Sequence, residues 1–399
     1  MKQIAPLVAL LALLISGARA AAPAPADLDR LLRTAVEQKQ VPMAVAMIAD
    51  SRGVVYEQAV GASKDAIFRI ASMTKPVTSV AVMQLVEAGK VKLDEPAKTY
   101  LPELGAVRVL DGATQRPPKS PITVRQLLTH TAGFGYEFMR KELFDLVSKK
   151  ELPSMMAGGD AFLKAPLLFE PGTGWEYGIN TDWLGRLVER VSGQSLEIYF
   201  REKIFTPLGM SDSFFTVPAS KQSRLVKVFE RKDDGTLGAQ PDAPAPPGDF
   251  LSGGGGLHST ASDYLLFVRA LMAGGQLGSR RILSGDSVAM MGANQIGDLT
   301  IRPVSSVIPQ FATDGAALPG ALDKFGLGFA LNSKSAGTNR GVNTMSWAGI
   351  FNTFFWIDRE KQIGAVLLSQ SLPFLEPGSK KLVDDFDRAV YAWRGQSSR

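Results

Sequence analysis

Residues 69–79, RIASMTKPVTS, decide the fold, because in them Ser72 stands three positions before Lys75. Pro76 follows directly, and a proline suits the first turn of a helix, where no backbone donor is lost. Residues three apart in a helix share a face, so the ammonium of Lys75 can reach the hydroxyl of Ser72. A lysine beside Val77 in an apolar segment needs a partner, and this serine can supply one.

The serine-lysine pair at this spacing is typical of a nucleophile with its base. A serine hydroxyl is a poor nucleophile until another group takes its proton. Ser72 lies at the N-terminus of a helix predicted over about Met73–Ala88, where the helix dipole favours an oxyanion, and Gly89 ends that helix. A capping serine with a solvated lysine is the alternative, so the rest of the chain has to decide.

The composition is that of a folded protein and excludes several kinds of site. The chain has 399 residues, of which 45% are hydrophobic and 21% charged. Because it contains no cysteine and only His130 and His258, disulfides and thiol nucleophiles are excluded, and we expect neither a metal nor a cofactor. Charges of both signs are interspersed without a basic stripe, so binding of nucleic acid is not indicated.

The first twenty residues are typical of a signal peptide. Lys2 precedes an apolar run over residues 4–15, and residues 18–20 (ARA) resemble a cleavage site. A membrane anchor is the alternative, but the run is short for a bilayer span. We therefore expect an exported protein, periplasmic or secreted. It would have no stable membrane insertion once residues 1–20 are removed, and a single catalytic domain over residues 21–399.

Strand patterns occur at both ends of the chain. Two apolar runs around the turn SRG predict a hairpin within Val41–Ala62. Near the other end, four further strands are predicted at residues 325–331, 343–351, 352–358 and 362–370. A last helix is predicted over about Leu382–Trp393.

Helical patterns dominate the middle of the chain, over about residues 76–275, and a loop rich in Pro, Gly and Ala is predicted at residues 234–248. We therefore predict an α/β (α+β) fold. Its antiparallel sheet would come from about residues 27–75 and 320–399, flanked by helices, with a helical region inserted between the two parts.

Two further segments carry candidate site residues. Tyr177 lies between a Pro-Gly turn and a helix predicted to begin at about Asp182, where a phenol can point into a cleft and exchange a proton. In SWAGIFN (346–352), Gly349 would let substrate approach the backbone, and the amides of Ser72 and Ile350 could form an oxyanion hole. For both segments, ordinary core packing of the aromatic residues is the alternative.

These segments together resemble the penicillin-recognising serine hydrolases, which include class C β-lactamases, D-stereospecific peptidases and family VIII carboxylesterases. The three ordered motifs are Ser72-Met73-Thr74-Lys75, Tyr177 and Trp347-Ala348-Gly349. Also similar are LLTHTAGF (127–134), PGTGWEYG (171–178), SGGGGLHSTASDY (252–264) and GLGF (326–329). The resemblance covers about residues 27–395. It implies a β-lactamase/transpeptidase-like fold and an acyl-enzyme mechanism in which Lys75 and Tyr177 share the proton of Ser72, with the general base left open between them.

Departures from the family pattern indicate the branch. Class C β-lactamases have Tyr-x-Asn, whereas here Ile179 takes the third place and Asn180 comes one position later. The usual Lys-Thr-Gly is replaced by Trp347-Ala348-Gly349, so polar groups that hold an anionic lactam are missing and an apolar site is expected. This pattern resembles the esterase branch most closely. We therefore predict an esterase for small carboxylic esters, with Asn180, Trp347, Ala348 and Gly349 contacting the substrate.

Other functions remain as alternatives. A class C-type β-lactamase, D-stereospecific peptidase or transpeptidase would use the same residues but would need a carboxylate anchor. A non-catalytic penicillin-binding protein is disfavoured by the presence of Ser72, Lys75 and Tyr177. His130 is expected to be structural, and because no G-x-S-x-G elbow occurs, an α/β-hydrolase is not indicated. The sequence leaves open the natural ester, its acyl length and stereochemistry, and the oligomeric state.

Overall fold

The computed structural model describes residues 26–112, 114–232, 234–241, 249–334 and 337–396. The predicted signal peptide at residues 1–20 lies outside the described residues. Within the described ranges, no helix has both the length and the apolar character that a bilayer crossing requires.

The described residues form helices at both ends and through the middle of the chain. They are α1 Ala26–Glu37, α2 Thr74–Glu87, α3 Val124–Leu128, α4 Lys141–Ser148, α5 Asn180–Ser192, α6 Leu196–Phe200, α7 Thr206–Leu208, α8 Ala261–Met272, α9 Gly285–Met291 and α10 Pro377–Gln396.

The described strands lie near both ends of the chain, as the sequence predicts, but short strands also occur in the middle, where the sequence predicts helices and loops. They are β1 Ala44–Asp50, β2 Gly53–Val60, β3 Phe68–Arg69, β4 Val109–Asp111, β5 Thr114–Arg116, β6 Phe229–Arg231, β7 Leu237–Ala239, β8 His258–Ser259, β9 Gln276–Leu277, β10 Arg280–Arg281, β11 Lys324–Phe325, β12 Ala330–Leu331, β13 Met345–Gly349, β14 Thr353–Asp358, β15 Ile363–Leu368 and β16 Ser371–Leu372.

Both ends of the chain build the main sheet, which confirms the predicted fold class. Among the described residues its strand order is β11-β12-β13-β14-β15-β1-β2, and every pairing is antiparallel. Strand β1 of the N-terminal hairpin lies beside β15, with Val45 opposite Leu368. Thus a hairpin that begins at residue 44 completes a sheet whose other strands come after residue 320.

Helices cover both faces of this sheet, which explains why β1, β14 and β15 are buried along their whole length. Neighbouring residues of β14 point to opposite faces. Phe355 contacts Tyr264 of α8 on one face, and Trp356 contacts Phe386 of α10 on the other.

Helix α2 is buried almost all round, as expected for a helix with apolar residues on every side. It packs against α5, which belongs to the inserted helical region. Strand β3, just before α2, pairs with β8, which follows the glycine-rich segment 252–257. The start of α2 is therefore enclosed between the sheet, α5 and the glycine-rich segment.

Four details differ from the sequence prediction. The N-terminal region begins with a helix, α1. The single strand predicted at residues 325–331 is two short strands, β11 and β12, because residues 326–329 turn the chain back on itself. The loop predicted at 234–248 contains β7, which pairs with β6, while residues 242–248 lie outside the described residues. The last helix extends beyond the predicted Leu382–Trp393 at both ends.

Candidate active site

Ser72 sits in a tight turn directly before α2. The turn, Ala71–Met73, is a 3₁₀ helix, and Ala71 has a φ of 43°, which is uncommon for a residue with a side chain. Buried hydrogen bonds hold this backbone: the hydroxyl of Thr74 donates to the carbonyl of Ala71 (2.7 Å), and that of Tyr264 donates to the carbonyl of Met73 (2.8 Å). Such support around a strained turn is typical of functional sites.

Lys75 is almost completely buried, with 2% of its surface exposed. Its Nζ donates to Ser72 Oγ (3.1 Å), to Tyr136 Oη (2.9 Å) and to the carbonyl oxygen of Gly254 (2.6 Å). An ammonium has three donors, and here all three have partners. The predicted pairing of Lys75 with Ser72 is therefore present, and two partners that the sequence did not indicate complete it.

Tyr177 reaches the same hydroxyl from the opposite side. Its Oη donates to Ser72 Oγ at 2.5 Å. Lys75 Nζ lies 4.7 Å from the centre of the Tyr177 ring, and the rings of Tyr136 and Trp347 contact it at 5.1 and 5.0 Å. Ser72 Oγ is therefore contacted by an amine and a phenol, both placed to exchange its proton.

The glycine-rich segment is held to α5 by Asp182. This buried carboxylate accepts from Ser252 Oγ (2.6 Å) and from the amide of Gly254 (3.0 Å), whose carbonyl faces Lys75. Burial raises the pKa of Asp182, and the ammonium of Lys75 opposes the rise. A Cβ on Gly253 would lie 2.8 Å from the carbonyl oxygen of Thr181, so only glycine lets this segment approach the helix so closely.

His130 has a structural position. It is buried, its backbone φ is 59°, and its Nδ1 lies 2.9 Å from Asn180 Nδ2 and 3.4 Å from the amide of Gly178. Burial and the nearby ammonium of Lys75 hold the pKa of His130 well below its ordinary value, so the ring is neutral at neutral pH. Its ring packs 5.2 Å from that of Tyr177 and supports the loop that carries this phenol.

Two predicted substrate contacts do not fit the structure. Asn180 is fully buried and its amide is used by His130 Nδ1, so it does not line the cavity at Ser72. Gly349 is needed for a different reason from the predicted one. A Cβ there would lie 2.3 Å from the carbonyl oxygen of Ile70, so the close approach that requires glycine is to the backbone just before the turn that carries Ser72.

A cavity of about 440 Å³ opens at Ser72. The predicted residues Tyr177, Trp347, Ala348 and Ile350 all line it. Most of the remaining wall is apolar and consists of Phe138, Met139, Pro303, Val304, Val307, Ala312, Leu318, Phe374 and Trp175. The expectation of an apolar site is incomplete, however, because charged side chains form part of the wall: Arg140, Lys141, Glu142, Glu176 and Arg302.

The sequence profile of the Beta-lactamase family matches residues 28–388. The chain belongs to the Beta-lactamase family. This match confirms the predicted resemblance to the penicillin-recognising serine hydrolases and identifies the chain as an enzyme of the serine hydrolase type. The matched residues include the turn that carries Ser72.

Individual relatives within the family narrow the comparison. The chain is 30% identical to a lovastatin esterase of Penicillium rubens, over 92% of this chain and all of the relative. It is also 30% identical to a monacolin J acid methylbutanoyltransferase of Aspergillus terreus, over 95% and 98% of the two chains. The structure of simvastatin synthase from Aspergillus terreus superposes with a TM-score of 0.79 at 28% identity and covers 92% of this chain and 97% of that one. The β-lactamase/transpeptidase-like fold predicted from sequence is thereby confirmed.

Proposed function

We propose that this protein is an exported esterase that hydrolyses small carboxylic esters through an acyl-enzyme on Ser72. The observation that carries the proposal is that Ser72 Oγ contacts both Lys75 Nζ and Tyr177 Oη at the base of a largely apolar cavity. Residues 21–399 would act as one catalytic domain after removal of residues 1–20. The lovastatin esterase among the relatives supports the choice of esters as the substrate class.

In acylation, Ser72 Oγ bonds to the ester carbonyl carbon as its proton passes to Lys75 or Tyr177, whichever is unprotonated at that moment. The carbonyl oxygen becomes an oxyanion, which the backbone amides of Ser72 and Ile350 would stabilise. The C–O bond to the alcohol then breaks, and the transferred proton goes to the leaving alkoxide. In deacylation, the oxygen of water bonds to the acyl carbon and gives a proton to the same base; the bond from that carbon to Ser72 Oγ then breaks, the carboxylic acid leaves, and the base returns the proton to Ser72 Oγ.

Two further groups would keep the relay in position. The carbonyl of Gly254 can only accept a hydrogen bond, so it directs one Lys75 proton away from Ser72 and orients the amine. The hydroxyl of Tyr136 both accepts and donates, so it can adjust to either protonation state of Lys75. No metal or cofactor takes part in these steps.

Acyl transfer to an alcohol is a second candidate function. The apolar cavity wall favours it, because a bulky alcohol seated there would exclude water from the acyl-enzyme. The methylbutanoyltransferase among the relatives is named for the transfer of an acyl group, which supports this candidate. With p-nitrophenyl butyrate and a range of alcohols, a transferase would release the butyrate ester of the alcohol, detectable by mass spectrometry, whereas a strict esterase would release only butyrate.

The decisive test is the Ser72→Ala variant. We expect it to lose turnover of p-nitrophenyl acetate and labelling by a fluorophosphonate, while its thermal midpoint stays close to that of the wild type. A folded Ser72→Ala protein that still hydrolyses the ester would disprove the proposal. Export is tested separately by mass spectrometry of the protein recovered outside the cytoplasm. Its measured mass should match a chain that begins at Ala21.

A further inference from the structure

The two phenols around Ser72 come from segments that contain neither a helix nor a strand. Tyr136 lies in residues 131–140 and Tyr177 in residues 171–179. Their hydroxyls approach Lys75 Nζ and Ser72 Oγ within 2.9 and 2.5 Å, respectively. Because hydrogen bonds weaken steeply with distance and angle, some feature must fix these two irregular segments relative to each other.

Backbone hydrogen bonds join the second segment to residues 130 and 131, at the start of the first. The amide of Gly172 donates to the carbonyl of Thr131 (2.8 Å), and the amide of Glu176 donates to the carbonyl of His130 (2.9 Å). These contacts lie before Tyr136 in the first segment. The part that follows Tyr136, on the cavity side, is joined to the second segment by side chains.

That side-chain connection is the ion pair of Arg140 with Glu176. Arg140 Nη1 lies 2.5 Å from Glu176 Oε2, and the Arg140 amide donates to the Tyr136 carbonyl at 3.0 Å. Glu176 is the immediate neighbour of Tyr177. One ion pair thus joins a residue bonded to the first phenol's backbone with the residue next to the second phenol.

Because this ion pair is largely buried, its two side chains depend on each other more than those of a surface pair do. The side chain of Glu176 is 8% exposed and that of Arg140 is 24% exposed. A carboxylate removed from water needs its partner, and loss of one member of such a pair is strongly destabilising locally. Burial raises the pKa of Glu176, and the guanidinium of Arg140 counteracts that effect and favours the ionised form.

We propose that Arg140 and Glu176 are positioning residues that set the separation of Tyr136 and Tyr177 around Lys75 and Ser72. The inference rests on the proposed esterase function and deepens it. The pair acts through the two phenols, so its loss lowers the rate of the chemical step. Both residues also line the cavity, so the test uses a substrate with a short acyl group, for which we expect KM to change less than kcat.

A double-mutant cycle tests this inference with p-nitrophenyl acetate as substrate. Glu176→Gln and Arg140→Met each lower kcat at least about tenfold, with KM within about threefold of the wild type. The double variant is no slower than either single variant, because the second change removes an interaction that is already lost. Arg140→Lys, which keeps the charge, recovers most of kcat, and fluorophosphonate labelling of Ser72 slows in parallel with kcat.

The matched control is the ion pair of Arg224 with Asp212, which has similar burial, with side chains 25% and 18% exposed, and which does not line the cavity. Asp212→Asn is expected to lower the thermal midpoint and to leave kcat unchanged. This comparison separates a general loss of stability from a loss of positioning.

Three results would overturn the inference: kcat within twofold of the wild type in folded Glu176→Gln, effects on kcat that multiply in the double variant, or a change confined to KM. The last would make the pair a substrate contact. The proposed function fails independently, when Ser72→Ala retains turnover. A wild type whose turnover depends on Ser72, combined with a kcat insensitive to Glu176, refutes the positioning role alone.

Discussion

Tyr177→Phe is the most informative single substitution, because it removes one oxygen atom and leaves the ring. The ring keeps its contacts with His130, Tyr136 and Trp347, and it keeps the position 4.7 Å from Lys75 Nζ. What disappears is the 2.5 Å hydrogen bond to Ser72 Oγ. The variant therefore tests proton transfer with little change in packing.

The expected magnitudes for activity and stability differ widely. A positioned acid or base contributes about 10²- to 10⁴-fold to rate, which corresponds to about 3–5 kcal/mol of transition-state stabilisation. One hydrogen bond in a half-buried site contributes only about 0.5–1.5 kcal/mol to the free energy of unfolding. We expect kcat/KM for p-nitrophenyl acetate to fall at least about a hundredfold, with only a small fall in thermal midpoint.

The matched control is Tyr56→Phe. Tyr56 is buried and its hydroxyl donates to Asp29 at 2.9 Å, but it lies on β2, away from the cavity. The Tyr56→Phe variant should have a lower thermal midpoint than the wild type and an unchanged kcat/KM. If Tyr177→Phe keeps kcat/KM within tenfold of the wild type, Tyr177 is not an essential member of the relay, and Lys75 would have to act without it.

Three further expectations follow from the described geometry. Substrate choice: wild-type kcat/KM for p-nitrophenyl butyrate should be well above that for benzylpenicillin, because Trp347 stands where the family pattern has a cation for the lactam carboxylate, and one charge-assisted bond is worth about 1.5–3 kcal/mol or roughly ten- to a hundredfold. Faster penicillin turnover would favour the β-lactamase alternative, with Arg140, Lys141 or Arg302 of the cavity wall holding the carboxylate instead. Stability against pH: burial and the nearby Arg69 lower the pKa of His258 to about 4, so its contribution, on the order of 3 kcal/mol, is present above about pH 6.5 and is lost as the pH falls towards 4. The thermal midpoint of His258→Gln should consequently fall less between pH 6.5 and 4 than that of the wild type, and parallel curves would contradict this. Metal: dialysis against EDTA should leave ester turnover intact, and a loss restored by zinc would show that the site is misassigned.

Much of the fold could be predicted from local patterns, because strand alternation and helical spacing depend only on residues close together in the sequence. The alternation around SRG predicted the β1–β2 hairpin, and the apolar runs near the other end predicted β13, β14 and β15. The sequence prediction was wrong where a turn or a short strand pairing formed in a segment whose composition indicated another structure. Residues 326–329 have a strand-like pattern but form the turn between β11 and β12. Strand β7 forms inside the predicted loop at 234–248 because β6 lies opposite it.

The candidate site was predictable where its members are close in sequence or belong to a motif of the family resemblance. Ser72 and Lys75 meet because they are three positions apart in helical backbone, and Tyr177, Trp347, Ala348 and Ile350, named through their motifs, line one cavity. For Asn180 the sequence indicated only the residue type and could not give its direction. The start of α5 turns this amide towards His130, where both are buried.

The sequence by itself indicated the Ser72–Lys75 pair, its helix and most strands of the sheet, since helical spacing and side-chain alternation are properties of a short stretch of chain. Only the tertiary structure decided which groups surround Lys75 and Ser72. Tyr136 Oη and the carbonyl of Gly254 reach Lys75 from 61 and 179 residues away. The ion pair of Arg140 with Glu176 likewise depends on two irregular segments meeting. Such contacts leave no periodic signal in the sequence, because their geometry is set by the packing of α2 against α5 and the sheet.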